Sequence, residues 1–305
     1  MSARKRKDTV GIVGLGIMGG AFASNLVADG WHVIGFDVDA GRRKVMARAG
    51  VEIANGTKAL AQEAATIITS LPSPEALDAV VAEIVAANVP PRVIIEASTF
   101  TLADKERAEA RLKKAAHIAL DCPISGTGAQ AKHKDLVVYA SGDSKSIAKL
   151  RPLFLAFAKS VHDLGAFGNG SRMKYVANLL VAIHNVAAAE AMVLGMKAGL
   201  DPQQIFDLIT PGAGNSRVFE LRAPMMVKDR YDDATMKIKV WQKDLAVIGD
   251  YAASIGSPTP LMSATLPIYA AAMSTGHAMH DTAAVCAVLE AMAGLHRPKK
   301  GKRKS

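Results

Sequence analysis

The segment from Thr9 to Gly19, TVGIVGLGIMG, decides the fold of the first half of the chain. Its β-branched start predicts a buried strand, and Gly14, Gly16 and Gly19 then follow with the spacing GxGxxG. The first glycine makes a tight turn, the second lets the backbone approach a pyrophosphate, and the third allows close packing of the next helix. The segment therefore predicts a strand–turn–helix unit that binds a dinucleotide through the helix N-terminus.

An acidic residue follows the motif where such units bind ribose. Asp37 ends the second β-rich run, 23 residues after Gly14, and a carboxylate there accepts hydrogen bonds from the adenosine ribose and repels a 2′-phosphate. Arg42 and Arg43 come next, and an arginine near this acid can instead accommodate a 2′-phosphate. The pattern favours NAD and leaves NADP possible. The candidate cofactor contacts in this region are Gly14, Gly16, Ile17, Met18, Gly19 and Asp37.

The two halves of the chain differ in pattern. Short β-rich runs alternate with helix-like stretches in the first half, which predicts a doubly wound parallel α/β sheet with right-handed crossovers. From about Ser171 the pattern is helical, and glycines at positions 165, 168 and 170 mark the change. We predict an α/β domain over residues 1–167 and an all-α domain over residues 168–305, in which Ser171 to about Gly199 forms one long helical segment.

The net charge of +9 is confined to the ends of the chain. Residues 1–7 and 297–305 hold ten of the 37 lysines and arginines and no acid, which leaves 27 bases against 28 acids between them. We interpret both ends as solvated tails. No basic stripe crosses the body, so we expect no nucleic-acid partner.

Other residue patterns argue against a metal site and a membrane span. Cys122 and Cys286 lack metal-ligand spacing, and His277 and His280 lack a third ligand. The apolar run Val176–Met196 contains two asparagines, a histidine and a glutamate, which favours a buried helix. We therefore expect a cytoplasmic protein with no metal and no membrane partner.

Two further segments carry candidate binding and catalytic groups. In DCPISGTGA, residues 121–129, Ser125 offers a hydroxyl and the following backbone offers N–H donors, which suits a carboxylate. Read alone, the segment is more typical of an ordinary turn with serine and glycine. In GNGSRMKYVAN, residues 168–178, Lys174 and Asn178 share one helical face. A desolvated lysine can serve as acid or base; the alternative is a lysine that reaches solvent along the surface.

Together these segments resemble the β-hydroxyacid dehydrogenase family, which includes 3-hydroxyisobutyrate dehydrogenases and tartronate semialdehyde reductases. The resemblance rests on the order of GLGIMG at 14–19, Ser70-Leu71-Pro72, Ser98-Thr99, DCPISGTGA, GNGSRMKYVAN and Lys243-Asp244. It implies an N-terminal Rossmann domain and an all-helical C-terminal domain joined by a long helix. It also implies hydride transfer between NAD or NADP and a small β-hydroxy acid or its semialdehyde.

The resemblance also assigns roles to individual residues. Lys174 matches the catalytic lysine, and Asn178 matches an asparagine that helps hold the substrate. The substrate-carboxylate segment corresponds to Ser125, Gly126 and Thr127, and the further cofactor contacts to Leu71, Pro72, Thr99 and Lys243. Two departures, Thr127 in place of a second glycine and Leu179 after Asn178, bear on substrate identity more than on chemistry. By the same resemblance Arg217 lies near the substrate and is a candidate partner for a second anionic group, unless it simply faces solvent.

Two other functions and the oligomeric state stay open at this point. An imine reductase would share the fold, but that group usually lacks the lysine found at 174. A catalytically silent nucleotide-binding scaffold, as among chromatin-associated relatives, is slightly favoured by the basic tails, but Lys174 and Asn178 argue against it. The apolar helices of the second half predict a homodimer or homotetramer.

Overall fold

A computed structural model describes residues 8–297 of the chain, so the basic tails interpreted above lie largely outside the described residues. The chain divides into two compact units between Val176 and Ala177. The limits predicted from sequence, 1–167 and 168–305, instead place the boundary at the glycine-rich loop, and they stay a prediction.

The first unit is built on a six-stranded parallel sheet. Its strands are β1 (Thr9–Val13), β2 (His32–Phe36), β3 (Glu52–Ile53), β4 (Thr66–Thr69), β5 (Val93–Glu96) and β6 (Ile118–Asp121). They lie in the order β3-β2-β1-β4-β5-β6. This is the doubly wound order with its reversal between β1 and β4, beside which ligands of such folds bind. The predicted Rossmann fold is confirmed.

Helices cover both faces of this sheet because successive strand residues point to opposite sides. Ile12 packs in one apolar cluster with Phe22 and Phe157, and its neighbour Val13 packs in the other with Leu60 and Leu77. The helices between the strands are α1 (Ile17–Ala28), α2 (Ala40–Arg48), α3 (Thr57–Glu63), α4 (Pro74–Ala86) and α5 (Leu102–Lys114).

A second sheet, of three strands, follows the first along the chain. The sequence pattern did not show that these strands form a separate sheet. The second sheet consists of β7 (Ile124–Ser125), β8 (Val137–Ala140) and β9 (Ser160–Asp163), with α6 (Gly128–Lys132) and α7 (Ser144–Phe157) between them. β7 pairs antiparallel with β8, whereas β8 and β9 are parallel. The two-residue strand β7 is too short to show the alternation of apolar and polar residues that predicts a strand, and its pairing depends on tertiary contacts.

The remaining elements are helical. They are α8 (Asn169–Lys197), α9 (Pro202–Ile209), α10 (Arg217–Lys228), α11 (Ile238–Ser254), α12 (Pro260–Ala272), short turns at Met273–His277 and Thr282–Ala284, and α13 (Val285–Met292). α8 has the length and composition of a membrane-crossing helix, a test that core helices of soluble proteins also pass. Its Asn185 is buried and donates to the Tyr269 hydroxyl and the Thr282 carbonyl, which is typical of a core helix.

Candidate functional site

The glycine motif forms a turn with no room for a Cβ at its first and last glycines. Gly14 has φ +90°, and a Cβ added there would lie 2.1 Å from the Ser70 carbonyl oxygen. A Cβ added at Gly19 would lie 1.9 Å from the Gly14 carbonyl oxygen. The turn is therefore pressed against the end of β4, at the reversal point of the sheet.

The helix that follows this turn presents its N-terminus without a side-chain cap. α1 begins at Ile17, its cap residue is Gly16, and its first turn contains no acid. The first N–H groups of a helix lack intrahelical acceptors and carry partial positive charge. A glycine turn followed by an uncapped 12-residue helix fits the diphosphate of a dinucleotide.

Asp37 and the two arginines beside it occupy different environments. The Asp37 carboxylate is buried and accepts hydrogen bonds from the backbone N–H of Leu15 at 2.7 Å and of Asp39 at 2.9 Å. Arg42 Nη1 lies 3.5 Å from Asp37 Oδ2 and 3.3 Å from where a Cβ of Gly16 would be. Arg43 instead donates to the carbonyl oxygens of Asp37 and Val38. Only Arg42 of this pair therefore lies over the glycine turn.

The turns after β4 and β5 are hydrogen-bonded to each other. The Leu71 N–H donates to Ser98 Oγ at 2.9 Å, and the Ser98 N–H donates to Glu96 Oε1 at 2.9 Å. Leu71 also lies 3.4 Å from the Cβ position of Gly14. The structure thus brings Leu71, with Pro72 after it, against the glycine turn, and Thr99 follows the serine that holds Leu71.

The predicted carboxylate-binding segment lies beside the same turn. Ser125 ends β7, and Gly126 adopts φ +130°. A Cβ added at Gly128 would lie 2.3 Å from Ile17 Cγ2, so the segment contacts the glycine motif. The Thr127 N–H donates to Gln130 Oε1 at 3.0 Å and is already engaged in capping α6. The Ser125 hydroxyl and the Gly126 N–H are the candidate donors that precede this cap.

The start of α8, which carries Lys174, is anchored in the first unit. The Ser171 N–H donates to Asp121 Oδ2 at 2.7 Å, and Ser171 Oγ donates to Asp121 Oδ1 at 2.9 Å. One turn later the Tyr175 hydroxyl donates to the Phe100 carbonyl at 2.6 Å. Lys174 lies between these anchors and is only 8% exposed. That burial argues against a lysine extended into solvent.

Asn178, one turn after Lys174, belongs to a polar cluster of the second unit. Its Nδ2 donates to Asp244 Oδ2 at 3.1 Å, and Lys243 Nζ lies 3.4 Å from Asp244 Oδ1. Asp244 therefore links two predicted site residues, a role that the sequence analysis missed. The sequence offered one indication of this role, because Asp244 directly follows the predicted site residue Lys243 in α11. Arg217 behaves differently, because its side chain is 65% exposed and pairs with Glu220 at 2.6 Å.

The sequence analysis also missed a buried ionic cluster beneath the site. Lys105 Nζ lies 2.7 Å from Glu96 Oε2 and 2.7 Å from Asp121 Oδ1, and its side chain is 0% exposed. Burial alone would lower the pKa of Lys105, but the charges of Asp121 and Glu96 outweigh it and raise the pKa above its ordinary value. Lys105 therefore holds its proton more tightly than an ordinary lysine does. Within residues 8–297 no group of three or more potential metal ligands occurs.

Comparisons with known proteins cover both units. A family model of the NAD-binding domain of 6-phosphogluconate dehydrogenase matches residues 9–165. A second model, described as "NAD-binding of NADP-dependent 3-hydroxyisobutyrate dehydrogenase", matches residues 168–289. The chain is 32% identical to an L-threonate dehydrogenase of Cupriavidus necator, over 90% of this chain and 94% of that protein.

Solved structures give the same result. A 3-hydroxyisobutyrate dehydrogenase of Salmonella typhimurium has a TM-score of 0.84 at 28% identity, covering 92% of this chain and 100% of that one. The Mycobacterium tuberculosis 3-hydroxyisobutyrate dehydrogenase with L-serine has a TM-score of 0.83 at 30% identity, covering 92% and 98%. An imine reductase of Pseudomonas sp. is more distant, with a TM-score of 0.63 at 21% identity over 93% and 100%, and shares the fold.

Proposed function

The chain belongs to the β-hydroxyacid dehydrogenase family, and from this premise we propose that Lys174 is the general acid–base of its reaction. The reaction is hydride transfer between NAD(P) and a small β-hydroxy acid or its semialdehyde. The observation that carries the proposal is the burial of Lys174, 8% exposed, on a helix start anchored beside the ligand-binding edge of the sheet.

The cofactor is NAD, with NADP possible, and when bound it accepts the hydride in oxidation and returns it in reduction. We assign its diphosphate to the turn and helix start formed by Gly14, Gly16, Ile17, Met18 and Gly19, whose shape supports this role. Asp37 is assigned to the adenosine ribose. By resemblance, the positions nearer the nicotinamide are Leu71, Pro72, Thr99 and Lys243.

The substrate carboxylate is assigned to the segment from Ser125 to Thr127, with Asn178 as a second polar contact. Because the Thr127 N–H already donates to Gln130, the Ser125 hydroxyl and the Gly126 N–H are the donors that we assign to the carboxylate. Arg217 stays a candidate for a second anionic group. Its side chain is exposed and pairs with Glu220, so this assignment depends on the resemblance alone.

In oxidation Lys174 acts as a base. Its neutral amine takes the proton from the substrate hydroxyl, the carbinol carbon gives up hydride, and a carbonyl forms while Nζ becomes an ammonium. In reduction the ammonium returns that proton to the carbonyl oxygen. Positioned proton transfer of this kind contributes about 10²- to 10⁴-fold to rate.

A substrate and cofactor panel tests the proposal. We expect reduced cofactor to form with at least one of threonate, 3-hydroxyisobutyrate and glycerate, and cofactor to be consumed with tartronate semialdehyde, succinic semialdehyde or glyoxylate, each measured with both cofactors. Faster reduction of a cyclic imine than of any of these compounds would favour an imine reductase. Cofactor binding without turnover on any of them would favour a silent scaffold.

We further propose a cytoplasmic homodimer or homotetramer. Apolar side chains on α8 are exposed within the single chain, including Val176 at 55%, Leu180 at 47% and Leu194 at 74%. Exposed apolar area of this kind is typical of interfaces. Light scattering at micromolar concentration tests the assembly, and a monomer would contradict it.

A further inference from the structure

Two carboxylates stand side by side at the ligand-binding edge of the sheet. Glu96 and Asp121 are register partners at the carboxyl ends of the neighbouring strands β5 and β6, and both are buried. Like charges opposite each other on adjacent strands repel. Lys105, from α5, places its ammonium 2.7 Å from an oxygen of each and removes that repulsion.

Fold stability alone does not account for this cluster. Removing charges from water is costly, and buried ion clusters can often be replaced by apolar side chains without loss of stability. The cluster also orients the neighbouring backbone. Besides its contact with Lys105, each carboxylate accepts a hydrogen bond from a backbone N–H, that of Ser98 for Glu96 and that of Ser171 for Asp121.

The Asp121 side of the cluster holds the helix of the proposed acid–base. Its Oδ1 is shared between Lys105 Nζ and Ser171 Oγ, and its Oδ2 accepts the Ser171 N–H. A Cβ on Gly170 would lie 2.6 Å from the Asp121 carbonyl, so the backbones are in close contact here. Ser171 precedes Lys174 by three residues, which places both on adjacent turns of one face.

The Glu96 side holds the turns assigned to the cofactor. Oε2 faces Lys105, whereas Oε1 accepts the Ser98 N–H. Ser98 Oγ in turn accepts the Leu71 N–H, and Leu71 lies against Gly14. One ammonium thus fixes two carboxylates, of which one orients the helix of Lys174 and the other orients the turns beside the glycine motif.

We propose that Lys105 is a positioning residue for hydride transfer, one that sets the start of α8 relative to the turns at Leu71 and Ser98. The inference rests on the proposed role of Lys174. It predicts that loss of the ammonium affects turnover through Lys174, and cofactor binding through Ser98.

The test is a set of variants assayed well below their unfolding midpoints. Lys105→Met should lower kcat by about ten- to a hundredfold, since small misplacements of reacting groups cost this much. Ser171→Ala should lower kcat with little change in the Kd of NAD. Ser98→Ala should raise that Kd with a smaller effect on kcat at saturation. Arg107→Met is the matched control, because Arg107 lies on the exposed side of α5, where it pairs with Asp78 of α4 and with Asp104. The kcat of this variant and its Kd for NAD should be near those of the wild type.

A double-mutant cycle separates positioning from general damage. In the Lys174→Met background, Lys105→Met should have little further effect on kcat, because residues that act as a unit are non-additive. Multiplied losses, or a lowered unfolding midpoint with unchanged kcat, would overturn the inference. If Lys105→Met does not fold, Ser171→Ala carries the same cycle. Near-normal turnover of Lys174→Met would instead refute the proposed function itself, so the two failures are distinguishable.

Discussion

Gly128 lies directly against Ile17, and a Cβ added to Gly128 would come within 2.3 Å of the Ile17 Cγ2 atom. This contact joins the segment assigned to the substrate carboxylate to the turn assigned to the cofactor diphosphate. Gly128 does not have a positive φ, so its backbone conformation would allow another residue. The close approach of Ile17 is what requires glycine here.

Gly128→Ala should therefore weaken cofactor binding and lower the stability of the fold modestly. Ile17 is 73% exposed and can move, but its displacement disturbs the turn assigned to the diphosphate. Overpacking costs about 1–3 kcal/mol, so we expect the Kd of NAD, measured by calorimetry, to rise about fivefold or more. Gly249→Ala is the control, since a Cβ at Gly249 of α11 meets nothing within 4 Å. An unchanged Kd in Gly128→Ala would mean that the contact does not shape the cofactor site.

Cofactor preference should depend on Asp37 and Arg42. Asp37→Ser removes the carboxylate that repels a 2′-phosphate and leaves Arg42, which lies over the glycine turn, available to bind it. A hydrogen bond to a charged group contributes about 1.5–3 kcal/mol, so we expect the ratio of kcat/KM for NADP to that for NAD to rise about tenfold or more.

The control for this prediction uses the neighbouring arginine. Adding Arg42→Ala to Asp37→Ser should abolish the gain, whereas Arg43→Ala should affect both cofactors alike because Arg43 binds backbone carbonyls. If Arg42→Ala and Arg43→Ala reduced the preference for NADP equally, Arg42 would not be the residue that binds the 2′-phosphate.

Stability should decrease on mild acidification because of His117. Its Nδ1 accepts the Arg92 N–H at 3.0 Å, and burial, reinforced by the charge of Arg92, lowers the pKa of His117. Since the folded pKa lies below the unfolded one, the contribution is complete above the unfolded pKa, about 6.5, and is lost as the pH falls through the folded pKa. Urea denaturation between about pH 7.5 and 5.5 should show this decline. His117→Asn, which keeps an acceptor near the Nδ1 position, should flatten it; an equally steep decline would assign the effect elsewhere.

The parts of the fold that depend on short stretches of sequence could be predicted from the sequence alone. The strand, glycine turn and acid at Asp37 follow short-range rules, so the sheet and the cofactor turn could be predicted. Lys105 could not, because a charge-rich helix is typical of a solvated surface. Even so, Lys105, Ala108 and Leu112 form the buried stripe of α5, and a lysine on that stripe was the available signal. Its partners depend on the register of β5 against β6, which no local pattern fixes.

Replacement of Lys174 gives the most direct test of the proposed chemistry. Lys174→Met keeps the length and the apolar stem of the side chain, so α8 and its anchors at Ser171 and Tyr175 should be retained. Because the amine is assigned to proton transfer alone, kcat should fall about 10²- to 10⁴-fold, while the Kd of NAD stays within about twofold, a difference of less than 1 kcal/mol. Lys197→Met, at the exposed end of the same helix, is the matched control and should be near wild type. Steady-state turnover together with calorimetric NAD binding separates the outcomes: a parallel loss of binding would show that Lys174 supports the cofactor site rather than the proton step.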